Sequence, residues 1–303
     1  PFVAVVGQER IKNALIWNMV NPAIGGLLVS GEKGTAKSTL IRGINSLAGS
    51  RYIEELPLNA DENSLHDVLD FEQMVCTGKG KMRQGLFTRA EGKFLYIDEV
   101  NLLSDHIVND LIEATGEDRK IALIGTMNPE EGPLRPQLLD RFGLYAEAEG
   151  EKDLRLRGVI LKRRMQFDDD QSAFAKQCSR ETEKLWGSIQ KARQRLKRVT
   201  VTENATRLAV ELAAQGGCDS IRAELTLIET AKAIAAFDGR SNINAGDLQQ
   251  AALYALPHRM KPSGEKNESH KTPEERQSGA QSNDEVKPAP EAAEKTEKEP
   301  LEE

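Results

Sequence analysis

Cysteine is scarce. Three residues, Cys76, Cys178 and Cys218, are scattered through a chain of 303. Their odd number and wide spacing exclude a disulfide framework and a C-x-x-C metal clip, and they fit thiols of a reducing compartment. The four histidines, His66, His106, His258 and His270, show no ligand spacing, so no transition-metal site is expected. Aromatic residues make up only 5% of the chain. The apolar mass is therefore Leu, Ile, Val and Ala, a composition of α/β or helical architecture rather than of a β-sandwich. No apolar run approaches the ~20 residues that span a bilayer and no signal-peptide pattern opens the chain, so the expected compartment is the cytoplasm, with no membrane partner. Positive charge is in deficit, with a net charge of −7. That balance, and the lack of a basic stretch interleaved with aromatics, argue against a surface built for nucleic acid.

What is present is 39% hydrophobic residues, enough for one large or two ordinary domains. Composition shifts after Lys261: the last segment, 261–303, has almost no large apolar residue and carries 12 acidic against 7 basic side chains. It cannot bury enough surface to offset chain entropy and reads as a disordered acidic tail, or a linker to something further on. The ordered part divides near residue 150. In 1–150, apolar runs (Gly25–Gly31, Phe94–Val100, Lys120–Asn128) alternate with helical patterns from Lys37 and over Asn101–Ala114. This alternation predicts parallel βαβ units, a sheet covered on both faces. In 151–260 the pattern is helical throughout, with segments at Asp153–Arg164 and Arg180–Lys197 and with N-caps expected at Thr202 and Asn242. This half reads as a small helical bundle.

The residues that carry chemistry begin at Gly31. After the apolar strand Leu27–Ser30, the run Gly31-Glu32-Lys33-Gly34-Thr35-Ala36-Lys37-Ser38 matches the phosphate-binding pattern G-x-x-x-x-G-K-[ST] except that Ala36 stands where the second glycine belongs. Backbone amides would cradle phosphates at the start of a helix, with Lys37 reaching the β and γ phosphates and Ser38 holding Mg²⁺. Two conformations are open to Ala36. At a helix entry its angles can already be helical, where alanine costs little. If the position needs positive φ, alanine costs on the order of 1 kcal/mol.

"FLYIDEV" is a strand ending in Asp98, which can hold the Mg²⁺ shell, and Glu99, which can polarise an attacking water. A third strand ends in Asn128, able to bond both the γ-phosphate and that water, or simply an Asn-Pro turn. Thirteen residues on, Arg141 suits an arginine finger reaching a neighbour's γ-phosphate, the alternative being a surface pair with Asp140. Arg135 is a weaker interface candidate. Arg222, at a helix start in the second half, could fold back over the nucleotide.

These elements in this order resemble an AAA+ ATPase, a P-loop NTPase with a parallel sheet flanked by helices and a C-terminal helical lid. More narrowly, "VVGQERIKNAL", "GEKGTAKST", "LYIDEVNLLSDHIVNDLIEA", "GTMNPEEGPLRPQLLDRFGL" and "ALYALPHRMK" are similar to the ATPase subunit of magnesium chelatase and its cobaltochelatase-like relatives, over roughly Phe2 to Lys261. The resemblance implies that the loop with Ala36 is a working variant. It makes Lys37 and Ser38 the Walker A residues, Asp98 and Glu99 the Walker B pair, Asn128 sensor 1, Arg141 the finger and Arg222 sensor 2. It also implies ATP and Mg²⁺ as cofactors and a homo-oligomeric ring, usually hexameric. The partners it implies are a subunit or fused domain of integrin-like (VWA) type and a large tetrapyrrole-binding subunit that inserts the metal.

The family usually carries a β-hairpin before the sensor 1 strand. Here only "TGEDRK" separates Ala114 from Ile121, so that insertion is either missing or lost from this record of the sequence. The acidic tail resembles the linker to an integrin-like domain, which makes the chain the front portion of a longer protein. The function expected is an ATP-hydrolysing motor driving metal insertion into a tetrapyrrole. The alternatives are a MoxR-type AAA+ chaperone and a nucleotide-binding scaffold that does not turn ATP over.

Overall fold

The apolar run at Gly26–Ser30 becomes a strand buried at every position. The computed structural model describes residues 1–48, 52–69, 80, 82–116, 121–218 and 220–260. The acidic segment 261–303, Cys76, His270 and the span 117–120 of the shortened hairpin region lie outside them. Pro1–Pro262 forms one compact unit.

In chain order, α1 (Glu9–Val20) and β1 (Gly26–Ser30) are followed by α2 (Lys37–Arg42), α3 (Ile44–Ala48), β2 (Ile53–Leu56) and α4 (Glu62–Leu65). A small hairpin, β3 (Val68–Leu69) and β4 (Met82–Arg83), precedes α5 (Leu86–Ala90), β5 (Phe94–Ile97), α6 (Asp105–Ala114), β6 (Ala122–Met127), α7 (Pro136–Leu139) and β7 (Leu144–Glu147). Helices alone follow: α8 (Leu154–Asp169), α9 (Gln171–Gln177), α10 (Ser179–Leu196), α11 (Glu203–Gln215), α12 (Ile221–Phe237) and α13 (Ala245–Ala255). The helix expected to begin at Asn101 starts at Asp105, because Val100–Leu102 takes a 3₁₀ turn first.

The central sheet has five strands in the order β2-β5-β6-β1-β7, all parallel. β1 is paired on both sides and covered on both faces, which is why its sequence shows no polar alternation. The register sets Ser30 beside Met127 and Ile97 beside Gly125, so the carboxyl ends of β1, β5 and β6 finish together on one edge. In an open parallel sheet that edge is where ligands bind.

The helical half shares its core with the sheet layer. Leu27, Val29, Leu144 and α1 residues such as Leu15 and Met19 belong to one apolar cluster with Ile189, Leu227, Ile234 and Leu248. Trp17 meets Tyr254 edge to face at 4.9 Å between ring centres. Arg193 donates to the Met19 carbonyl at 2.6 Å and to the Tyr52 hydroxyl, lying over the rings of Tyr52 and Trp186.

Thr202 caps α11 as expected, its hydroxyl accepting from the Ala205 N–H at 3.3 Å. Asn242 does not cap α13. The helix starts two residues later, where Asn244 and Asp247 bond each other's backbone N–H reciprocally at 2.9 and 2.8 Å. That box satisfies two orphan donors at once, while Asn242 accepts from the Thr200 hydroxyl instead.

Candidate functional site

The segment between β1 and α2 needs its glycines for two reasons. A Cβ on Gly31 would come within 2.5 Å of the Ala148 carbonyl, and Gly34 has φ +87°. Ala36 has φ 61° and ψ 22°, the left-handed region. The helical alternative for this residue is thus overturned. The turn must close one residue before α2 begins, and alanine sits there at a cost of about 1–2 kcal/mol. Lys37 Nζ donates to the carbonyls of Gly31 and, at 2.9 Å, Glu32. Burial lowers its pKa, against the opposing charges of Asp98, Glu131 and Glu99.

Across the sheet edge, Ser38 Oγ donates to both Asp98 oxygens at 3.1 Å. The Asp98 carboxyl lies below its ordinary value. Burial pushes it up, but the neighbouring hydroxyls of Thr126, Tyr96 and Ser38 and the charge of Arg42, 3.7 Å away, outweigh burial. Thr126 is the residue that sequence reasoning missed. Buried on β6, it donates to Asp98 Oδ1 and accepts from the Glu99 N–H at 3.1 Å, so one hydroxyl fixes both neighbouring acids. The strain shows at Glu99, whose φ and ψ are both 53°. A non-glycine residue in this region is uncommon and costs of order 1–3 kcal/mol. The Tyr96 hydroxyl, fully buried beside this group, has no well-formed hydrogen bond among the described residues.

Asn128 is buried at the tip of β6, and its side-chain oxygen accepts from the Glu130 N–H at 3.3 Å. Its amide N–H₂ makes no hydrogen bond among the described residues. Lys33 pairs with Glu131 at 2.7 Å and lies 3.7 Å from Glu99. The bond to Glu131, then the charges of Glu131 and Glu99, raise its pKa.

The arginines are distributed differently from expectation. Arg141, just past α7, donates to the Thr115 carbonyl at 3.2 Å and has no carboxylate within ion-pair distance among the described residues. The surface pair with Asp140 does not form, because Asp140 is taken by Arg222 at 2.6 Å and approached by Arg259 at 3.6 Å. Arg222 thus pairs with the residue that precedes Arg141. Its side chain reaches the segment that carries Arg141, a partner 82 residues away that local pattern does not reveal. Arg135 pairs with Asp105.

Beside the loop opens a cavity of about 930 Å³. Its walls include Val5–Gln8, Gly34–Ala36, Glu149–Lys152 and, from α8, Ile160 and Phe167. Gln8, also at positive φ, spans this wall: its side-chain nitrogen donates to the Glu149 carbonyl at 2.7 Å and to the Thr35 carbonyl at 3.3 Å. Sequence reasoning gave it no role. The donor set at Ser38 and Asp98, a hydroxyl and an ionised carboxylate with hard oxygens, fits Mg²⁺.

The comparisons with known proteins agree with this geometry. The AAA domain (dynein-related subfamily) profile matches residues 26–121, and the AAA lid domain profile matches 206–279. The chain is 36% identical to a magnesium-chelatase subunit ChlI homolog of Methanocaldococcus jannaschii, over 86% of this chain and 85% of that protein. It is 35% identical to the magnesium-chelatase 38 kDa subunit of Cereibacter sphaeroides, over 86% of this chain and 92% of the relative. An uncharacterised Mycobacterium tuberculosis protein is 40% identical, but the chain spans only 45% of its length. A crystal structure from Cytophaga hutchinsonii shares the fold at TM-score 0.61 and 19% identity, over 85% of this chain and 83% of the other. Sheet topology, loop, tandem carboxylates and these relatives converge: the chain belongs to the magnesium-chelatase ChlI/38 kDa subunit family of AAA+ proteins.

Proposed function

We propose that the chain is an ATP-hydrolysing motor of a chelatase-type complex, working as a homo-oligomeric ring. The observation that carries the reading is the Ser38 hydroxyl bonded at 3.1 Å to both oxygens of Asp98, on the sheet edge that also presents Lys37, Glu99 and Asn128. Ser38 and Asp98 would hold Mg²⁺, which when bound neutralises charge on the transferring phosphoryl group. Lys37 would leave its loop carbonyls for the β and γ phosphates. The nucleotide base would enter the cavity walled by Val5–Gln8, and Thr126 aims Glu99 at the attacking water. Arg141, with no carboxylate within ion-pair distance among the described residues, would serve the γ-phosphate of a neighbour, and Arg222, paired with Asp140 beside it, would act with it.

Such a motor drives partner subunits, an integrin-like module and a large tetrapyrrole-binding chelatase subunit. The name of the Cereibacter sphaeroides relative, a subunit, supports an assembly of this kind. The complete set of Asp98, Glu99 and Asn128 favours turnover over a silent scaffold. The test is Glu99→Gln measured for both nucleotide binding and ATP turnover. Binding retained with turnover lowered about 10²-fold or more is the expected result, since general-base assistance supplies 10²–10⁴. Unchanged turnover removes the assignment.

A further inference from the structure

The segment that carries Arg141 is gripped by the far end of the described chain. Arg259, four residues past α13, is a cation with only 7% of its side chain exposed. It donates to the Phe142 carbonyl at 2.9 Å and the Gly143 carbonyl at 3.2 Å. A further bond, to the Ala255 carbonyl at 3.0 Å, ties it to its own helix. Its Nε lies 3.6 Å from Asp140 Oδ1. His258 adds a second donor to the Phe142 carbonyl, Nε2 at 2.9 Å. A ring nitrogen facing a carbonyl carries the proton, and Nδ1 is left buried with no partner among the described residues. Burial, helped by the charge of Arg259, holds this histidine in its neutral form, its pKa pushed down to about 3. Arg222 takes the other Asp140 oxygen at 2.6 Å. Residues on both sides of position 141 are therefore fixed by side chains of the helical half.

Joining the helical half to the sheet layer does not require this. Burying a guanidinium forfeits its hydration, and well-packed apolar side chains join layers without that cost. What a guanidinium adds is direction, since its planar fork meets several acceptors in one fixed geometry. Here the fork's acceptors on that segment are the carbonyls of Phe142 and Gly143, which follow Arg141, and the Asp140 carboxylate that precedes it lies within ion-pair distance of Nε.

We propose that Arg259, assisted by His258, is a positioning residue for Arg141: it aims the finger, so that the placement of one subunit's helical half governs hydrolysis in the adjoining subunit and not in its own. The proposal rests on the reading of Arg141 given above.

The test is a mixed assembly. Lys37→Ala subunits lend a finger but have lost the phosphate lysine, and Arg141→Ala subunits hold nucleotide but lend no finger, so a mixture regains turnover at the junctions between the two kinds. Arg259→Gln is then added to one kind at a time. In the finger-lending subunit it is expected to cut the mixture's turnover about a hundredfold, the scale of an ångström's misplacement of a catalytic group. In the nucleotide-holding subunit it is expected to leave turnover within about twofold, too small for a misplaced group. Asp140→Asn, at a half-exposed position, repeats the experiment with the same asymmetry should Arg259→Gln assemble poorly. Equal losses from both placements, or no loss from either, overturn the clamp while leaving the finger intact. A silent unmodified mixture overturns the finger reading and, with it, this inference.

Discussion

Replacing Ala36 by glycine removes one methyl group from a residue held at φ 61° and ψ 22°. The left-handed conformation costs an L-residue about 1–2 kcal/mol, and glycine is relieved of it. Against this, glycine has more freedom to lose on folding, worth about 0.5–1 kcal/mol. The difference is a stabilisation between about 0 and 1.5 kcal/mol. For a domain of this size each kcal/mol moves the melting temperature by about 2–4 °C, so Ala36→Gly should melt between 0 and about 6 °C higher. Nucleotide affinity should change less than tenfold, under ~1.4 kcal/mol. Ala36→Val is the opposite arm: a β-branched residue in this region is an outlier, and the variant should melt several degrees lower and bind nucleotide more weakly. Differential scanning calorimetry with and without Mg-ATP separates the two. If glycine destabilises by more than about 1 kcal/mol, or valine matches alanine, the residue is not left-handed and the loop geometry argued here is wrong.

Thr126→Val removes the hydroxyl that joins Asp98 to the Glu99 N–H; urea melts should show a loss of about 1–3 kcal/mol, with Mg²⁺-dependent nucleotide binding weakened as well. Acid should reveal the same contact. Because the Asp98 carboxyl is depressed in the folded state from its ordinary 3.8, its contribution is complete above that value and lost as pH falls through the folded one. In Thr126→Val the loss should therefore begin at higher pH, read from stability against pH between about 2 and 6. Tyr96→Phe deletes a buried hydroxyl that has no well-formed partner but lies beside Asp98 and helps to hold its carboxyl down. Near neutral pH the nucleotide-free protein should therefore change in stability by less than about 1 kcal/mol, with the loss in acid beginning at higher pH. A large destabilisation would show that the hydroxyl is bonded after all.

The strand tips and the loop were legible because each is a local motif, a short apolar run followed at once by its functional residues. Asp98, Glu99 and Asn128 follow β5 and β6 directly, and pairing of parallel strands then brings them to one edge without further information. Thr126 was hidden because a threonine inside a strand reads as a β-branched residue chosen for the pleat. Ala36 left two conformations open because alanine is a good helix former next to a helix, while its actual angles are imposed by the turn. The partner of Arg222 could not be read locally at all: the pairing with Asp140 depends on how α12 packs against the sheet layer. The capping shift from Asn242 to Asn244 had a local signal, the aspartate three residues after Asn244, which matches a capping box better than the earlier asparagine does.

Two side chains near the end of β6 face different duties. Thr126 restrains the acids of the adjoining strand, and two positions later Asn128 is the residue proposed for the terminal phosphate. A strand paired on both flanks is stiff along its length, so the two cannot shift independently. In the proposed motor, release of the phosphate and relaxation of Glu99 would then be a single mechanical event, geared through the three chain atoms of each residue rather than through any hinge.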